Sequence, residues 1–166
     1  MYKKIYIIGP VGSGKTTFSR GLSKKYNIDY YELDKVSWDD ENGHVKRSKK
    51  EALNIFNDIL KNESWIIEDV GREKFKRGRD EADIIYYLKL PRLKSYYRVS
   101  KRWIKQRMGK ERYNNEPTFK QWLYFISTVN SYYKKEKKRL KNLKKFDNKL
   151  VFLKRKDVNK IIEKRR

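Results

Sequence analysis

Apolar residues in this chain fall into five short runs that are separated by stretches with helical periodicity. The runs occupy residues 3–8, 29–33, 64–67, 83–88 and 149–153. Short continuous apolar runs are typical of parallel strands buried on both faces. Their alternation with helical stretches indicates βαβ units. The pattern therefore predicts an α/β fold in which helices cover both faces of a parallel sheet.

The stretches between the strands contain further local signals. Ser48 and Glu51 fit a capping box, which predicts that a helix begins there. Residues 39–47 are polar and are predicted to form a loop. Apolar residues recur at heptad-like spacing from 117 to 143, which predicts one long helix packed against the core. A short basic helix is predicted from about Asp157 onward.

The first apolar run leads directly into Gly9-Pro10-Val11-Gly12-Ser13-Gly14-Lys15-Thr16, which fits the pattern G-x-x-x-x-G-K-[ST]. Apolar residues at helical spacing from 18 to 26 predict a helix after it. Strand, glycine-rich loop and helix together predict a phosphate-binding loop, whose N–H groups and helix N-terminus attract anions. The sequence thus predicts nucleoside triphosphate binding, with Lys15 at the β- and γ-phosphates and the Thr16 hydroxyl on Mg²⁺.

Acidic residues follow the second and third predicted strands. Asp34 closes the second strand, and Glu68 and Asp69 follow the third. Ligands of open α/β sheets bind at the carboxyl ends of the strands, so Asp34 is expected either to face the site or only to form a turn. Two adjacent acids are costly to bury unless a cation lies near. They are expected to orient water or Mg²⁺, and Glu68 is favoured because it follows the strand directly.

Four arginines are candidates for binding phosphate or the acceptor. Arg47 lies just ahead of the helix that begins after it, on the expected acceptor side. Arg98 and Arg102 form one stripe with Lys105 on a helix predicted from 91 to 108. This stripe fits either a clamp over the nucleotide or a solvated face, and periodicity favours the solvated face. Arg107 falls on the apolar side of that helix, where a cation needs a partner such as a bound phosphate. The predicted apolar side comprises Leu93, Tyr96, Tyr97, Ser100, Trp103 and Ile104.

The net charge of the 166 residues is +23, and it is unevenly distributed. Up to residue 45, the chain has seven Lys and Arg residues and six Asp and Glu residues, so this part is nearly neutral. Between 89 and 112 there are ten basic residues and one acidic residue, and between 134 and 145 eight and one. Such a surface attracts phosphates, nucleotides or nucleic acid. The alternative is a solvated Lys-rich and Tyr-rich composition of the kind that AT-rich codon usage produces.

Length and composition narrow the class of protein. The length suits a single domain spanning 1–166. The chain has no cysteine, which excludes disulfides and thiolate metal sites. No apolar run approaches the length of a membrane span, and no signal-peptide core precedes the first strand. A cytoplasmic protein without membrane contact is expected.

With these motifs in place, the chain resembles a bacterial family of adenylate-kinase-like P-loop proteins labelled "DNA topology modulation protein". This family lies within the nucleoside-monophosphate-kinase-like P-loop NTPases, and the resemblance covers nearly the whole chain. It rests on the phosphate-binding loop and on the stretches 33–38, 65–68, 82–91 and 97–102. The resemblance implies a three-layer P-loop NTPase fold, with five parallel strands in the order 2-3-1-4-5 and a mobile helical lid at about 92–120.

The resemblance also implies roles for individual residues. Those implied to bind ATP are Gly9, Gly12, Ser13, Gly14, Lys15, Thr16 and Thr17. Asp34 and Glu68 are implied to lie beside Mg²⁺ and the acceptor, and Arg98 and Arg102 to be lid arginines. In the family a glycine commonly follows the acid of the third strand, whereas here Asp69 follows Glu68.

The leading hypothesis is an ATP-dependent kinase that acts on a small acceptor such as a nucleoside monophosphate, because phosphoryl transfer needs positioning and charge neutralisation. One alternative is an ATP-binding module that docks on nucleic acid through its basic surface and influences DNA topology. Another is a weak ATPase with a regulatory partner. The acids at the strand ends favour the kinase, since a DNA-binding module does not need them. The basic excess favours nucleic acid.

Overall fold

A computed structural model describes residues 2–39, 42, 45–110 and 117–163. The strands in this part of the chain are β1 (Lys4–Ile8), β2 (Tyr30–Glu32), β3 (Trp38–Asp39), β4 (Val45–Lys46), β5 (Trp65–Asp69), β6 (Ile84–Leu88) and β7 (Leu150–Leu153). The helices are α1 (Lys15–Tyr26), α2 (Leu33–Ser37), α3 (Lys49–Leu60), α4 (Lys76–Glu81), α5 (Arg92–Arg107), α6 (Phe119–Lys134), α7 (Glu136–Leu143) and α8 (Arg155–Glu163). None of the helices in these segments is both long and apolar enough to cross a membrane.

Five of the strands form a parallel sheet in the order β2-β5-β1-β6-β7. Counted along the chain without β3 and β4, this order is 2-3-1-4-5, so the predicted α/β fold and strand order are confirmed. The register places Ile8 at the end of β1 beside Asp69 at the end of β5. The loops that follow these two strands therefore emerge side by side, which positions the site described below.

Alternating side chains of β1 supply the core on both faces of the sheet. Tyr6 and Ile8 pack into a cluster that includes residues of α3 and α7, whereas Ile5 and Ile7 pack against α1 and α8. Successive residues of a strand point to opposite faces, so a continuous apolar run can serve two layers at once. This explains why the sheet strands are continuous apolar runs in the sequence.

The capping box predicted at the start of α3 is present. The Ser48 hydroxyl accepts a hydrogen bond from the Glu51 backbone N–H at 3.2 Å, and the Glu51 carboxylate accepts one from the Ser48 N–H at 2.8 Å. Two N–H groups at the helix start are thereby satisfied, as the local sequence predicts.

Two local predictions are wrong. The predicted loop 39–47 contains part of an antiparallel pair, in which Asp39 of β3 lies opposite Val45 of β4; positions 40, 41, 43 and 44 lie outside the described residues. The predicted single helix from 117 to 143 is divided into α6 and α7, because Lys135 has φ −96° and ψ 1° and leaves the helical conformation. Heptad-like spacing continues across this break, so the apolar pattern alone does not reveal it.

Candidate active site

The loop between β1 and α1 has the conformation that the glycine pattern predicts. Gly12 has φ +77° and Gly14 has φ +96°, a region that side chains disfavour. Gly14 immediately precedes α1, and no side chain caps that helix end. The first N–H groups of α1 therefore stay available to an anion. Gly9 lies close to β6, since a Cβ there would be 3.0 Å from the Leu88 carbonyl oxygen.

The polar side chains of this loop differ in their contacts. The Lys15 ammonium donates to the Pro10 carbonyl at 3.1 Å, and burial lowers the pKa of Lys15 although nearby carboxylates oppose this. The Thr16 hydroxyl donates to Oε1 of Glu68 at 3.0 Å. The Ser13 hydroxyl is buried without a hydrogen-bond partner among the described residues, and Thr17 is exposed.

Glu68 is the carboxylate that contacts the phosphate-binding loop. It is 6% exposed, and its Oε2 atom is buried without a hydrogen-bond partner in the described part of the chain. Burial raises the pKa of Glu68 to about 7, although the Lys15 charge acts in the opposite direction. A carboxylate with a free buried oxygen next to a hydroxyl is well suited to a cation bound between them.

Asp69 points to the other face of β5 and closes a turn. Its carboxylate accepts hydrogen bonds from the backbone N–H groups of Gly71 at 2.8 Å and Arg72 at 2.6 Å, and from Nη1 of Arg72 at 2.8 Å. Gly71 has φ +87°, so the glycine that the resemblance places directly after the acid lies three residues after Glu68. The two adjacent acids therefore have different surroundings because strand side chains alternate.

Arg72 connects the two strand ends and was missed by the sequence reasoning. Its guanidinium forms ion pairs with Asp34 through Nη2 and with Asp69 through Nη1. Asp34 lies in the first turn of α2 and its side chain is 64% exposed, whereas the side chain of Asp69 is fully buried. A cation shortly after two acids at a strand end was the available signal, because buried acids need a counter-charge.

The predicted apolar side of α5 is only partly correct, because Tyr96, Ser100 and Trp103 are half-buried but its other apolar members are exposed. Leu93 is 81% exposed and Tyr97 63%, whereas Ser95 and Val99 are buried. The Ser95 hydroxyl donates to the Val11 carbonyl at 2.6 Å, so that α5 lies against the phosphate-binding loop through a small residue. Apolar periodicity identifies a buried helix face from its large side chains, but α5 contacts the phosphate-binding loop through a small residue and a basic one.

This orientation brings Arg98 and Arg102 to the inner side of α5. Nη1 of Arg98 donates to the Gly12 carbonyl at 2.7 Å. The Arg102 guanidinium carbon lies 5.4 Å from the centre of the Phe125 ring, between α5 and α6. The solvated face that periodicity favoured for these arginines is therefore not observed. Residues 111–116 of the predicted lid lie outside the described residues.

Arg47 and Arg107 make their contacts away from the phosphate-binding loop. Arg47 donates to the carbonyls of Lys35 at 2.6 Å and Trp38 at 2.8 Å, and its Nη2 lies 3.2 Å from Asp39 Oδ1. Arg107 is exposed, and its guanidinium carbon lies 5.3 Å from the Trp103 ring centre. A role of either arginine in binding an acceptor stays a prediction.

Two cavities lie at the carboxyl-end side of the sheet, and Val11 of the phosphate-binding loop lines one of them. The first, which we call the β5–α7 cleft, has a volume of about 690 Å³. It is lined by Val11, Val70, Gly71, Arg72, Glu73, Ser127, Thr128, Ser131, Tyr132, Lys135, Lys138, Arg139 and Asn142. The second has a volume of about 1010 Å³, lies beyond the ends of β6 and β7, and is lined in part by Arg98, Lys89, Pro91 and Arg155. The second cavity is connected to the loop through Arg98, which contacts Gly12, and both volumes are of the size typical of small-molecule sites.

The chain matches a model of a known protein family. The model is described as an AAA domain and matches residues 5–120, which is more than half of the chain. The chain belongs to this family. The match includes the phosphate-binding loop, both acidic strand ends and α5.

Among curated proteins, the chain is similar to shikimate kinases. It is 28% identical over 101 residues to that of Buchnera aphidicola subsp. Schizaphis graminum, which is 52% of this chain and 57% of the relative. It is 28% identical over 80 residues to that of Legionella pneumophila strain Corby, which is 48% of this chain and 35% of the relative. The matches thus span between about a third and somewhat over half of these relatives.

Among solved structures, two kinases share the fold. Deoxyadenosine kinase from M. mycoides with bound dATP aligns with a TM-score of 0.52 and 18% identity over 96% of this chain and 95% of that one. Shikimate kinase from Bacteroides thetaiotaomicron aligns with a TM-score of 0.52 and 16% identity over 79% and 80%. These matches show the fold; the DNA topology label stays a prediction.

Proposed function

We propose that this protein is an ATP-dependent kinase that transfers the γ-phosphoryl group to a hydroxyl of a small acceptor. The observation that carries the proposal is the contact of Thr16 with Glu68 at the start of α1, together with the β5–α7 cleft that Val11 of the same loop lines. A phosphate-binding loop alone would serve any nucleotide-binding protein. A carboxylate beside it and an adjoining cleft are what transfer to a second substrate requires.

The triphosphate is held on the phosphate-binding loop. The uncapped N-terminus of α1 and the Lys15 ammonium neutralise its charge, and Arg98 lies close enough to the loop to contact it from α5. In the structure, Lys15 donates to the Pro10 carbonyl and Arg98 to the Gly12 carbonyl. When the triphosphate binds, phosphate oxygens replace these two carbonyls as acceptors. The larger cavity beyond β6 and β7, which Arg98 also lines, accommodates the nucleoside.

The residues present fit a Mg²⁺ ion. Thr16 supplies a hydroxyl oxygen and Glu68 supplies a carboxylate whose buried Oε2 has no partner among the described residues. Among these residues, no group of three or more acidic or histidine side chains forms a complete metal cage. This agrees with the preference of Mg²⁺ for one or two protein ligands together with phosphates and water. The ion supplies charge neutralisation on the phosphates.

The acceptor enters the β5–α7 cleft, and its hydroxyl oxygen attacks the γ-phosphorus. The bond between that phosphorus and the bridging oxygen of the β-phosphate breaks, and ADP leaves with the electron pair. The hydroxyl proton passes to a carboxylate, for which we choose Asp34 because its side chain is exposed and is paired with Arg72, which lines the cleft. Arg98 and Arg102 of α5 stabilise the negative charge of the phosphoryl group during transfer.

The test is ATP consumption with Mg²⁺ across an acceptor panel, with the Lys15→Ala variant as background. The panel includes shikimate and deoxyadenosine, which the names of the relatives suggest, and the nucleoside monophosphates. ADP formation that requires both one acceptor and Lys15 is the expected result. ATP binding without acceptor-dependent ADP formation throughout the panel would contradict a kinase for these acceptors.

The second candidate is an ATP-binding module that docks on nucleic acid. It is favoured by α5, in which seven of sixteen residues are basic and none is acidic, while Tyr97 is exposed beside Lys101. Exposed aromatic rings beside cations are suited to single-stranded nucleic acid. Binding that weakens steeply with salt, with no acceptor-dependent turnover, would favour this candidate.

A further inference from the structure

The β5–α7 cleft contains a fixed cation that the proposed transfer of phosphate does not use. Arg139 of α7 lies over the turn after β5, so closely that a Cβ at Gly71 would be 2.7 Å from its Cδ. Its Nη1 donates to the Tyr132 carbonyl at 3.2 Å, and its guanidinium carbon lies 3.9 Å from the centre of the Tyr132 ring. The side chain is therefore held in one place by neutral groups.

The guanidinium of Arg139 has unfilled hydrogen-bonding capacity. Its Nε is buried and has no partner, and no carboxylate lies within ion-pair distance of it in the described segments. A guanidinium has five N–H donors, and a buried donor without a partner is costly. The group that best satisfies such a planar set of donors is an oxyanion, which accepts two parallel hydrogen bonds.

The other charges of the cleft separate into compensated and uncompensated groups. Arg72 is paired with Asp34 and Asp69, and Glu73 is paired with Arg79 at 3.2 Å. Lys135 and Lys138 line the cleft and have no ion pair with a described residue. Together with Arg139 they make one wall of the cleft positive, whereas the cations of the opposite wall are already paired with carboxylates of the protein.

We propose, on the basis of the kinase function above, that the acceptor carries an oxyanion group and that Arg139 binds it, assisted by Lys135 and Lys138. The chemical class is a hydroxylated carboxylate or phosphate rather than a neutral nucleoside. The alternative use of Arg139, as a further contact to the triphosphate, is disfavoured by its position. Arg139 packs on the turn after β5, whereas Lys15 and Arg98 contact the loop after β1.

Binding of simple anions tests this site without knowledge of the acceptor. The donor site is saturated with a non-hydrolysable ATP analogue and Mg²⁺, and inorganic phosphate and acetate are titrated separately by calorimetry at low ionic strength. The same titrations on the Lys15→Ala variant identify phosphate that binds to the phosphate-binding loop. Phosphate represents an acceptor with a phosphate group, and acetate represents one with a carboxylate. The anion that binds with the higher affinity indicates which group the acceptor carries.

The variant Arg139→Met keeps the aliphatic stem and removes the charge, and Lys141→Met is its control. Lys141 is an exposed basic residue of the same helix that does not line the cleft. We expect Arg139→Met to weaken binding of the favoured anion by about ten-fold or more, and Lys141→Met by less than about two-fold. Should Arg139→Met not fold, Arg139→Lys retains the charge without the planar donors, and a loss of about three-fold or more is expected.

Two results would overturn the proposal: no saturable binding of either anion, or equal affinity in the wild-type protein and the Arg139 variants. The outcome is separable from that of the proposed function. Anion binding that depends on Arg139 without ATP turnover would contradict the kinase and retain the site. Acceptor-dependent turnover without such anion binding would retain the kinase and remove the site.

Discussion

The two walls around the phosphate-binding loop hold their cations in different ways. On the sheet side, Arg72 lies between the carboxylates of Asp34 and Asp69. On the helix side, the three inward arginines contact a backbone carbonyl or an aromatic ring: Arg98 at Gly12, Arg102 at Phe125 and Arg139 at Tyr132. A cation paired with a buried carboxylate is needed for stability, because removing it leaves that carboxylate uncompensated. A cation that contacts only neutral groups keeps most of its charge available to a ligand. The sheet wall should therefore respond to mutation in stability, and the helix wall in activity.

The largest effect is expected for Lys15→Ala, which removes the cation that we propose to lie closest to the transferred phosphate. Phosphoryl transfer should fall by about 10³-fold because a preorganised donor to the developing charge is lost. Thermal stability should not fall, since burial already disfavours the Lys15 ammonium. Steady-state ADP formation and thermal unfolding check this, with Lys24→Ala on the exposed side of α1 as the control.

Arg72→Met should destabilise the folded protein. It leaves the buried Asp69 carboxylate without its cation, and the free energy of unfolding should fall by about 3 kcal/mol or more. Urea denaturation measures the loss. The control is Arg77→Met, because Arg77 forms an exposed pair with Glu81 and should cost less than about 1 kcal/mol. Similar losses of unfolding free energy in the two variants would show that the Arg72–Asp69 pair contributes no more than an exposed ion pair.

Glu68→Gln should reveal the cost of keeping a carboxylate beside the loop. The pKa of Glu68 is about 7 in the folded protein against an ordinary 4.5, so the folded state binds more protons between these values. Stability of the metal-free protein should consequently fall as pH rises from about 4.5 to about 7, by up to about 3 kcal/mol, and then level off.

The amide that replaces the carboxyl group in Glu68→Gln does not titrate, so this fall should be absent from the variant. Glu68→Gln should match the wild type near pH 4 and be more stable above pH 7, while transfer activity is lost. Urea denaturation from pH 4 to 8 in EDTA gives the two curves. Parallel curves would show that Glu68 does not titrate in this range.

Arg98→Met should give the smallest effect and sharpen the contrast with Arg72. Turnover should fall by about ten-fold, since one charge-assisted contact to phosphate is lost. The free energy of unfolding should change by less than about 1 kcal/mol, because the lost partner is one backbone carbonyl at a half-buried site. A stability loss as large as that of Arg72→Met would place Arg98 among the structural cations.

Local sequence determined the sheet and the phosphate-binding loop. The five apolar runs, the glycines at 12 and 14 and the capping box of Ser48 each act through a few neighbouring residues, so their effects can be predicted without the fold. The acids at the strand ends were likewise found, because strand ends in a parallel sheet converge at one edge.

Only the tertiary structure decided which charges meet. Arg72 joins Asp34 across 38 positions of sequence, and Arg139 reaches Gly71 across 68, distances over which periodicity carries no information. Periodicity predicts the buried side of α5 only in part, because it depends on large apolar side chains, whereas the most buried residues of this helix are Ser95 and Val99. Short-range conformational preference thus determined the scaffold and its anion-binding loop. Long-range packing determined which cations pair with carboxylates and which contact only carbonyls and aromatic rings.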